Sequence, residues 1–124
     1  MARKIDWSDE RSQLALLEQG MASKLYVGKC GKKEQGWVQN AEILNREKFA
    51  GYQTLGGPGY KKRFFAILDR IALKYAFYEQ GANLSALPED APEVDRLATQ
   101  LLVEIEEDKV IDNIYNLTFI TSLF

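Results

Sequence analysis

Apolar residues recur at helical spacing in four stretches of the chain, and each stretch predicts an amphipathic helix. The first helix is expected to begin at Ser8, an N-cap residue followed by two acidic residues. Its apolar face is formed by Leu14, Leu17 and Met21. We expect Gly20 to weaken or end this helix. The lysine- and glycine-rich residues 22–35 that follow predict a basic loop.

A second helix is predicted over residues 36–47, because Trp37, Ala41 and Leu44 fall on one helical face. Residues 49–60 include a Gly-Gly-Pro-Gly run, which is typical of a connector between helices.

The third helix is predicted over residues 60–80, with Gly81 ending it. Its apolar stripe consists of Phe64, Ile67, Leu68, Ile71, Tyr75 and Tyr78. The flanking residues Phe65, Leu73 and Phe77 widen the apolar surface, so we expect two flanks of this helix to be covered. The remaining line is small or positive throughout and consists of Arg63, Ala66, Arg70 and Lys74.

A fourth helix is predicted over residues 91–108, after a linker with two prolines. Its apolar stripe consists of Val94, Leu97, Leu101 and Ile105. Residues 110–124 are apolar enough to dock on the core or on a partner, as a short helix or a strand. The prediction is an all-α fold, with a three-helix domain at residues 1–81. Residues 82–124 add the linker, the acidic amphipathic helix and the apolar tail.

Charge is distributed unevenly along the 124 residues, although the net charge is only −2. Through Lys74 the chain has 14 Lys and Arg against 8 Asp and Glu, whereas the remainder has 2 against 10. Such a split predicts two surfaces with different partners, or simply two solvated faces. It also suggests an autoinhibitory cover, in which the acidic segment folds over the basic one.

Catalytic chemistry has little support in the composition. The chain has no histidine and a single cysteine, Cys30, so the usual nucleophile–base pairs and zinc sites are missing. We therefore expect no enzyme activity, no metal and no cofactor. The glycines at 56–59 precede Lys61 and Lys62 but do not match the phosphate-loop spacing. A basic helix start still suits a polyanion's phosphate, and the alternative is a solvated helix start.

The aromatic spacing resembles the Myb/SANT-like family, and most closely its trihelix-type members. The residues that carry the resemblance are Trp7, Leu14, Leu17, Trp37, Ala41, Leu44, Phe64 or Phe65, and Leu68. Phenylalanine replaces the family's third tryptophan, and the loops are longer than in compact Myb repeats. The resemblance implies a helix-turn-helix arrangement that binds double-stranded DNA, with the third helix in the major groove.

The DNA contacts that this resemblance implies come from three parts of the chain. The candidate residues are Lys61, Lys62, Arg63, Arg70 and Lys74 in the third helix, Lys32 and Lys33 in the first loop, and Arg3 and Lys4 in the N-terminal arm. Basic residues of this kind would grip backbone phosphates.

A protein-interaction module is the alternative function. In that case a protein partner or a second copy binds residues 91–124, with Val94, Leu97, Leu101 and Ile105 as contact residues. Ion pairs between the acidic fourth helix and Arg70 and Lys74 would favour this alternative over DNA binding. The first residues lack a signal-peptide pattern, and no stretch is apolar enough to span a membrane. We expect an intracellular protein, and a nuclear one if it binds DNA.

Overall fold

The computed structural model describes residues 2–27 and 33–122, with side chains described as far as Lys109. Five α helices lie in this part of the chain: α1 Glu10–Ser23, α2 Lys33–Glu47, α3 Gly57–Lys74, α4 Phe77–Gln80 and α5 Glu93–Ser122. A 3₁₀ turn spans Leu84–Ala86, and the one isolated β-bridge among the described residues joins Arg3 to Tyr52. The predicted all-α fold is confirmed.

Helix α1 begins one residue later than predicted, because Asp9 and not Ser8 is the N-cap. The Asp9 Oδ1 atom accepts a hydrogen bond of 2.9 Å from the Arg11 backbone N–H, which would otherwise lack a partner in the first turn. Ser8 instead donates to Asp6, with its hydroxyl 2.5 Å from Asp6 Oδ1. A carboxylate at this end also complements the helix dipole.

Gly20 was predicted to weaken or end α1, and it does not end it, since the helix continues to Ser23. Gly20 serves packing: a Cβ atom there would lie 2.3 Å from Cε2 of Phe64. The Phe64 ring is fully buried and lies 5.3 Å from Trp37 and 6.0 Å from Tyr26, measured between ring centroids. The absent side chain therefore lets α1 and α3 meet closely at the centre of the core.

Helix α2 begins at Lys33, three residues earlier than predicted, so the first loop is shorter than residues 22–35. Its predicted core face is confirmed, since Trp37, Ala41 and Leu44 are all buried. The start of α3 lies against the α2 backbone at Gly57, where a Cβ would come within 2.7 Å of the Val38 nitrogen. Glycine is required here because no side chain fits between the two helices.

Helix α3 begins and ends earlier than predicted, at Gly57 and Lys74. Ala76 has a left-handed backbone with φ of 57°, and this residue separates α3 from the short α4. Phe64, Ile67, Leu68 and Ile71 form the buried stripe as predicted.

Three other predictions for the third helix are wrong. Tyr78 was placed on its buried stripe, but the break at Ala76 turns this side chain outward, and it is 67% exposed. The flanking residues Phe65 and Leu73 were expected to be covered, yet they are 38% and 65% exposed. Both therefore contribute apolar surface to the outside of α3.

Helix α5 runs unbroken for 30 residues and takes in most of the predicted tail, which is therefore neither a strand nor a separate helix up to Ser122. Val94, Ala98 and Leu101 lie in the same buried cluster as Leu16 and Phe64. Val94 and Leu101 were predicted to contact a partner, and this is a correction: they are 2% and 0% exposed and belong to the protein's own core. Leu97 and Ile105 are partly buried against that core.

Candidate nucleic-acid interface

The N-terminal arm lies along the connector between α2 and α3. The Arg3 carbonyl oxygen accepts a hydrogen bond of 2.6 Å from the Gln53 backbone N–H, next to the bridge between Arg3 and Tyr52. Ile5 is 9% exposed and belongs to the core cluster, so the arm is attached on both sides of Lys4. The side chains of Arg3 and Lys4 remain exposed.

Two of the predicted basic groups meet at one place. Lys4 of the arm and Arg63 of α3 line the same depression, which has a volume of about 200 Å³. The rest of its lining is Ile5, Trp7, Gln53 and Leu55. The Arg63 guanidinium lies over the Trp7 ring, 5.8 Å from its centroid, which is a cation–π contact. Residues nearly sixty positions apart thus form one positively charged site.

Lys61 and Lys62 differ in their surroundings although they are adjacent. Lys61 Nζ lies 2.7 Å from Glu34 Oε1, and the two side chains are 39% and 69% exposed. An ion pair this open contributes little, so a phosphate can compete for the lysine. Lys62 is exposed and has no ion pair or hydrogen bond among the described residues, which makes it the freest cation at the start of α3.

Arg70 lies on the same side of α3 as Arg63 and is also exposed. One of its guanidinium nitrogens donates to Gln13 Oε1 over 2.9 Å, and the Gln13 side chain in turn donates to the Trp7 carbonyl over 2.7 Å. These bonds link Arg70 to α1 through a neutral amide, which leaves its positive charge unneutralised. Arg70 is therefore bonded to α1, and within the described residues it makes no ion pair with α5.

Lys74 was predicted to contact DNA, but the structure pairs it with a buried carboxylate of α5, although its own side chain is 46% exposed. Its Nζ lies 2.7 Å from Asp95 Oδ2 of α5, a carboxylate whose side chain is only 3% exposed. The same oxygen accepts a hydrogen bond of 2.6 Å from the Tyr75 hydroxyl. The hydrogen bond with Asp95 raises the pKa of Lys74, so the lysine stays charged and paired.

Other carboxylates of α5 also face the body of the protein. Glu104 accepts a hydrogen bond from the Tyr26 hydroxyl, and Glu106 accepts one of 2.9 Å from the Ala82 backbone N–H. Burial and the contact with Glu104 raise the pKa of Tyr26. None of these contacts involves the cations at positions 61–63. Among the predicted DNA contacts with described side chains, the acidic segment neutralises Lys74, and we find no such pair at Lys4, Lys62 or Arg63.

Of the two first-loop lysines predicted to contact DNA, the structure describes only Lys33. Lys33 is the first residue of α2 and is partly buried. Lys32 and the single cysteine, Cys30, lie outside the described residues.

The outward face of α3 combines different chemistries. Lys62, Phe65, Ala66, Asp69 and Leu73 are all exposed along it. Asp69 accepts a hydrogen bond from the Tyr78 hydroxyl of α4. The sequence prediction missed this face, because it expected Phe65 and Leu73 to be covered, although helical spacing groups these five positions. The hydrogen bond between Gln53 and Arg3 of the arm could not be predicted from a sequence pattern, because it depends on where the arm lies in the folded protein.

Other surface features point to no particular chemistry. A depression of about 420 Å³ between α1 and residues 48–52 is lined by side chains of both signs, among them Arg11, Glu18 and Lys48. Within the described residues no three His, Cys, Asp or Glu side chains are grouped as a metal site would need. None of the helices there combines the length and apolar character of a membrane span.

Comparison with known proteins adds no relative to this picture. No family model, curated protein or solved structure matches the chain. The resemblance to Myb/SANT-like domains therefore rests on the residues quoted above and stays a prediction.

Proposed function

We propose that this protein is a DNA-binding domain that binds the backbone of duplex DNA through a basic surface. This basic surface consists of Arg3, Lys4, Lys61, Lys62, Arg63 and Arg70. One observation carries the proposal: Lys4 and Arg63 line the same depression, and Lys62, the residue before Arg63 in α3, is exposed. Cations gathered from two distant segments suit a polyanion, whose phosphates are regularly spaced.

In this proposal the first turns of α3 enter the major groove. The residues that would face base edges are Lys62, Ala66 and Asp69, which are all exposed. Lysine can donate to the acceptors of guanine, alanine can contact the thymine methyl group, and aspartate can accept from the cytosine amino group. Lys61, Arg63 and the arm would hold phosphates on either side.

A protein partner is the second candidate, and one observation favours it. The outside of α3 and α4 presents Leu73 at 65% exposure and Tyr78 at 67%. Exposed apolar side chains of this size suit a protein surface better than a phosphate backbone. If this face mediates self-association, sedimentation at rising concentration will show a dimer, and Leu73→Asp will remove it.

Binding of a fluorescent DNA duplex by anisotropy at several salt concentrations tests the first candidate. We expect binding that weakens steeply with salt, because each neutralised phosphate contributes about 0.9 to the slope of log K against log salt. Lys62→Glu should weaken binding by roughly tenfold or more at low salt. Lys109→Ala removes a positive charge from α5 at a residue that is not part of the basic surface, and it should change affinity far less. Absence of binding at low salt would contradict the proposal.

A further inference from the structure

We infer that the depression between the arm and α3 holds one backbone phosphate, bound jointly by Lys4 and Arg63. This inference rests on the proposed function and goes beyond it, because it names a two-residue site that is already formed in the free protein. It also predicts that the two cations act as one unit, although they belong to different segments of the chain.

The arm holds Lys4 in place before any ligand binds. Arg3 is fixed on one side by its carbonyl bond to Gln53, and Ile5 is fixed on the other by burial in the core. A short segment attached at both ends loses little conformational freedom when its lysine meets a phosphate. The arm therefore already forms one side of the site in the free protein. A flexible tail would instead lose conformational freedom when it bound.

Arg63 is oriented by Trp7. The tryptophan ring is wedged edge-on against Phe49 and Tyr60, at centroid distances of 5.7 and 6.2 Å. The guanidinium therefore lies over a ring that is itself packed in place, and the cation–π contact occupies none of its N–H donors. A planar fork of donors matches two oxygens of one phosphate group.

The remaining lining fits a single phosphate group. Gln53 adds an uncharged amide, Ile5 and Leu55 are apolar, and no carboxylate lines this depression. Its volume of about 200 Å³ is below the range of roughly 300 Å³ and more that is usual for pockets of drug-sized ligands. The space is large enough for a phosphodiester group.

The slope of log K against log salt for duplex DNA gives a direct test. If Lys4 and Arg63 share one phosphate, then Lys4→Ala, Arg63→Ala and the double variant should each lower the slope by about 0.9. If they contact separate phosphates, the double variant should lower the slope by about 1.8. The affinity losses should likewise fall short of multiplying, because removing either cation displaces the shared phosphate.

The controls separate charge from folding. Arg63→Gln keeps a polar side chain with N–H donors at this position while removing the charge, so it should match Arg63→Ala in slope if the fold is retained. Lys109→Ala and the double variant Lys4→Ala with Lys109→Ala supply matched charge changes at a lysine that does not line the depression. Far-UV circular dichroism and melting curves of every variant show whether the helices persist.

The outcomes distinguish this inference from the proposed function. If the protein binds DNA but the slope changes of Lys4→Ala and Arg63→Ala add, the shared site is overturned and DNA binding stands. If duplex DNA is not bound, inorganic phosphate is titrated into ¹⁵N-labelled protein and the Arg63 Nε–H signal is followed. A saturable shift, absent with chloride at matched ionic strength, keeps the phosphate site, and no shift overturns it.

Discussion

Lys74 and Asp95 join the end of α3 to the start of α5, with Nζ and Oδ2 2.7 Å apart. The carboxylate is buried and also holds the Tyr75 hydroxyl, so the pair belongs to the packing of the two helices. This contact decides how the basic residues of α3 divide. The basic residues near the start of α3 face solvent and the arm, whereas Lys74 at the end of α3 is paired with α5.

Substitutions at this pair should affect stability and leave DNA binding unchanged. Asp95→Ala removes the acceptor of two hydrogen bonds at a buried position, and we expect a loss of about 2 kcal/mol in the free energy of unfolding. Lys74→Ala should lower the melting temperature as well, because it leaves a buried carboxylate without its cation. Urea unfolding and DNA anisotropy measure the two effects. A tenfold loss of DNA affinity in folded Lys74→Ala protein would return Lys74 to the interface.

Gly20→Ala should destabilise the protein although alanine is the better helix former. The new Cβ would lie 2.3 Å from the Phe64 ring, which is fully buried and cannot move aside without disturbing Trp37 and Tyr26. We expect a net loss of about 1–2 kcal/mol, since overpacking outweighs the gain in helix propensity. Gly59→Ala in α3 is the matched control, because its Cβ would come no closer than 3.4 Å to Leu55. Equal effects at the two glycines in urea unfolding would contradict this account.

Stability should fall in alkaline solution as buried tyrosines ionise. Burial raises the pKa of Tyr60 to about 12, from 10.0 for a free tyrosine. Because the folded-state pKa is the higher one, the associated stability is complete below pH 10 and is lost as the pH rises towards 12. The loss attributable to Tyr60 is about 2–3 kcal/mol. Tyr60→Phe gives up the hydrogen bond to Asn45 but should flatten the pH dependence of denaturant midpoints between 10 and 12. An unchanged slope in this variant would assign the effect to other tyrosines, such as Tyr26.

Removal of residues 82–124 should abolish folding, so it will not reveal a freed DNA-binding surface. Val94, Ala98 and Leu101 complete the core, and Leu101 is fully buried. The milder change Leu101→Ala should by itself cost about 3–5 kcal/mol in unfolding free energy. Circular dichroism and thermal melts check both variants. A folded 1–81 fragment that binds DNA more tightly would support autoinhibition and contradict the role of α5 in the core.

Local patterns in the sequence predicted α1, α2, α3 and α5 and much of the core, but missed the break that separates α4 from α3. Apolar residues at helical spacing identified the buried faces of α2 and α3, including Trp37, Phe64 and Leu68, because period and burial are linked within a single helix. The resemblance to Myb/SANT-like domains came from these same positions. Core positions report packing and carry no information on a ligand, so the function stays a proposal.

The tertiary structure decided which predicted surface residues are free, because that depends on neighbours from elsewhere in the chain. Val94 and Leu101 had the pattern of a docking stripe, and only the packing of α5 on α1 and α3 shows that they face inward. Lys62 and Lys74 are both exposed lysines of the same helix, yet only Lys74 is paired to a buried acid. Lys4 and Arg63 line one depression because the arm lies along the connector, a contact between distant segments that no local pattern in the sequence encodes.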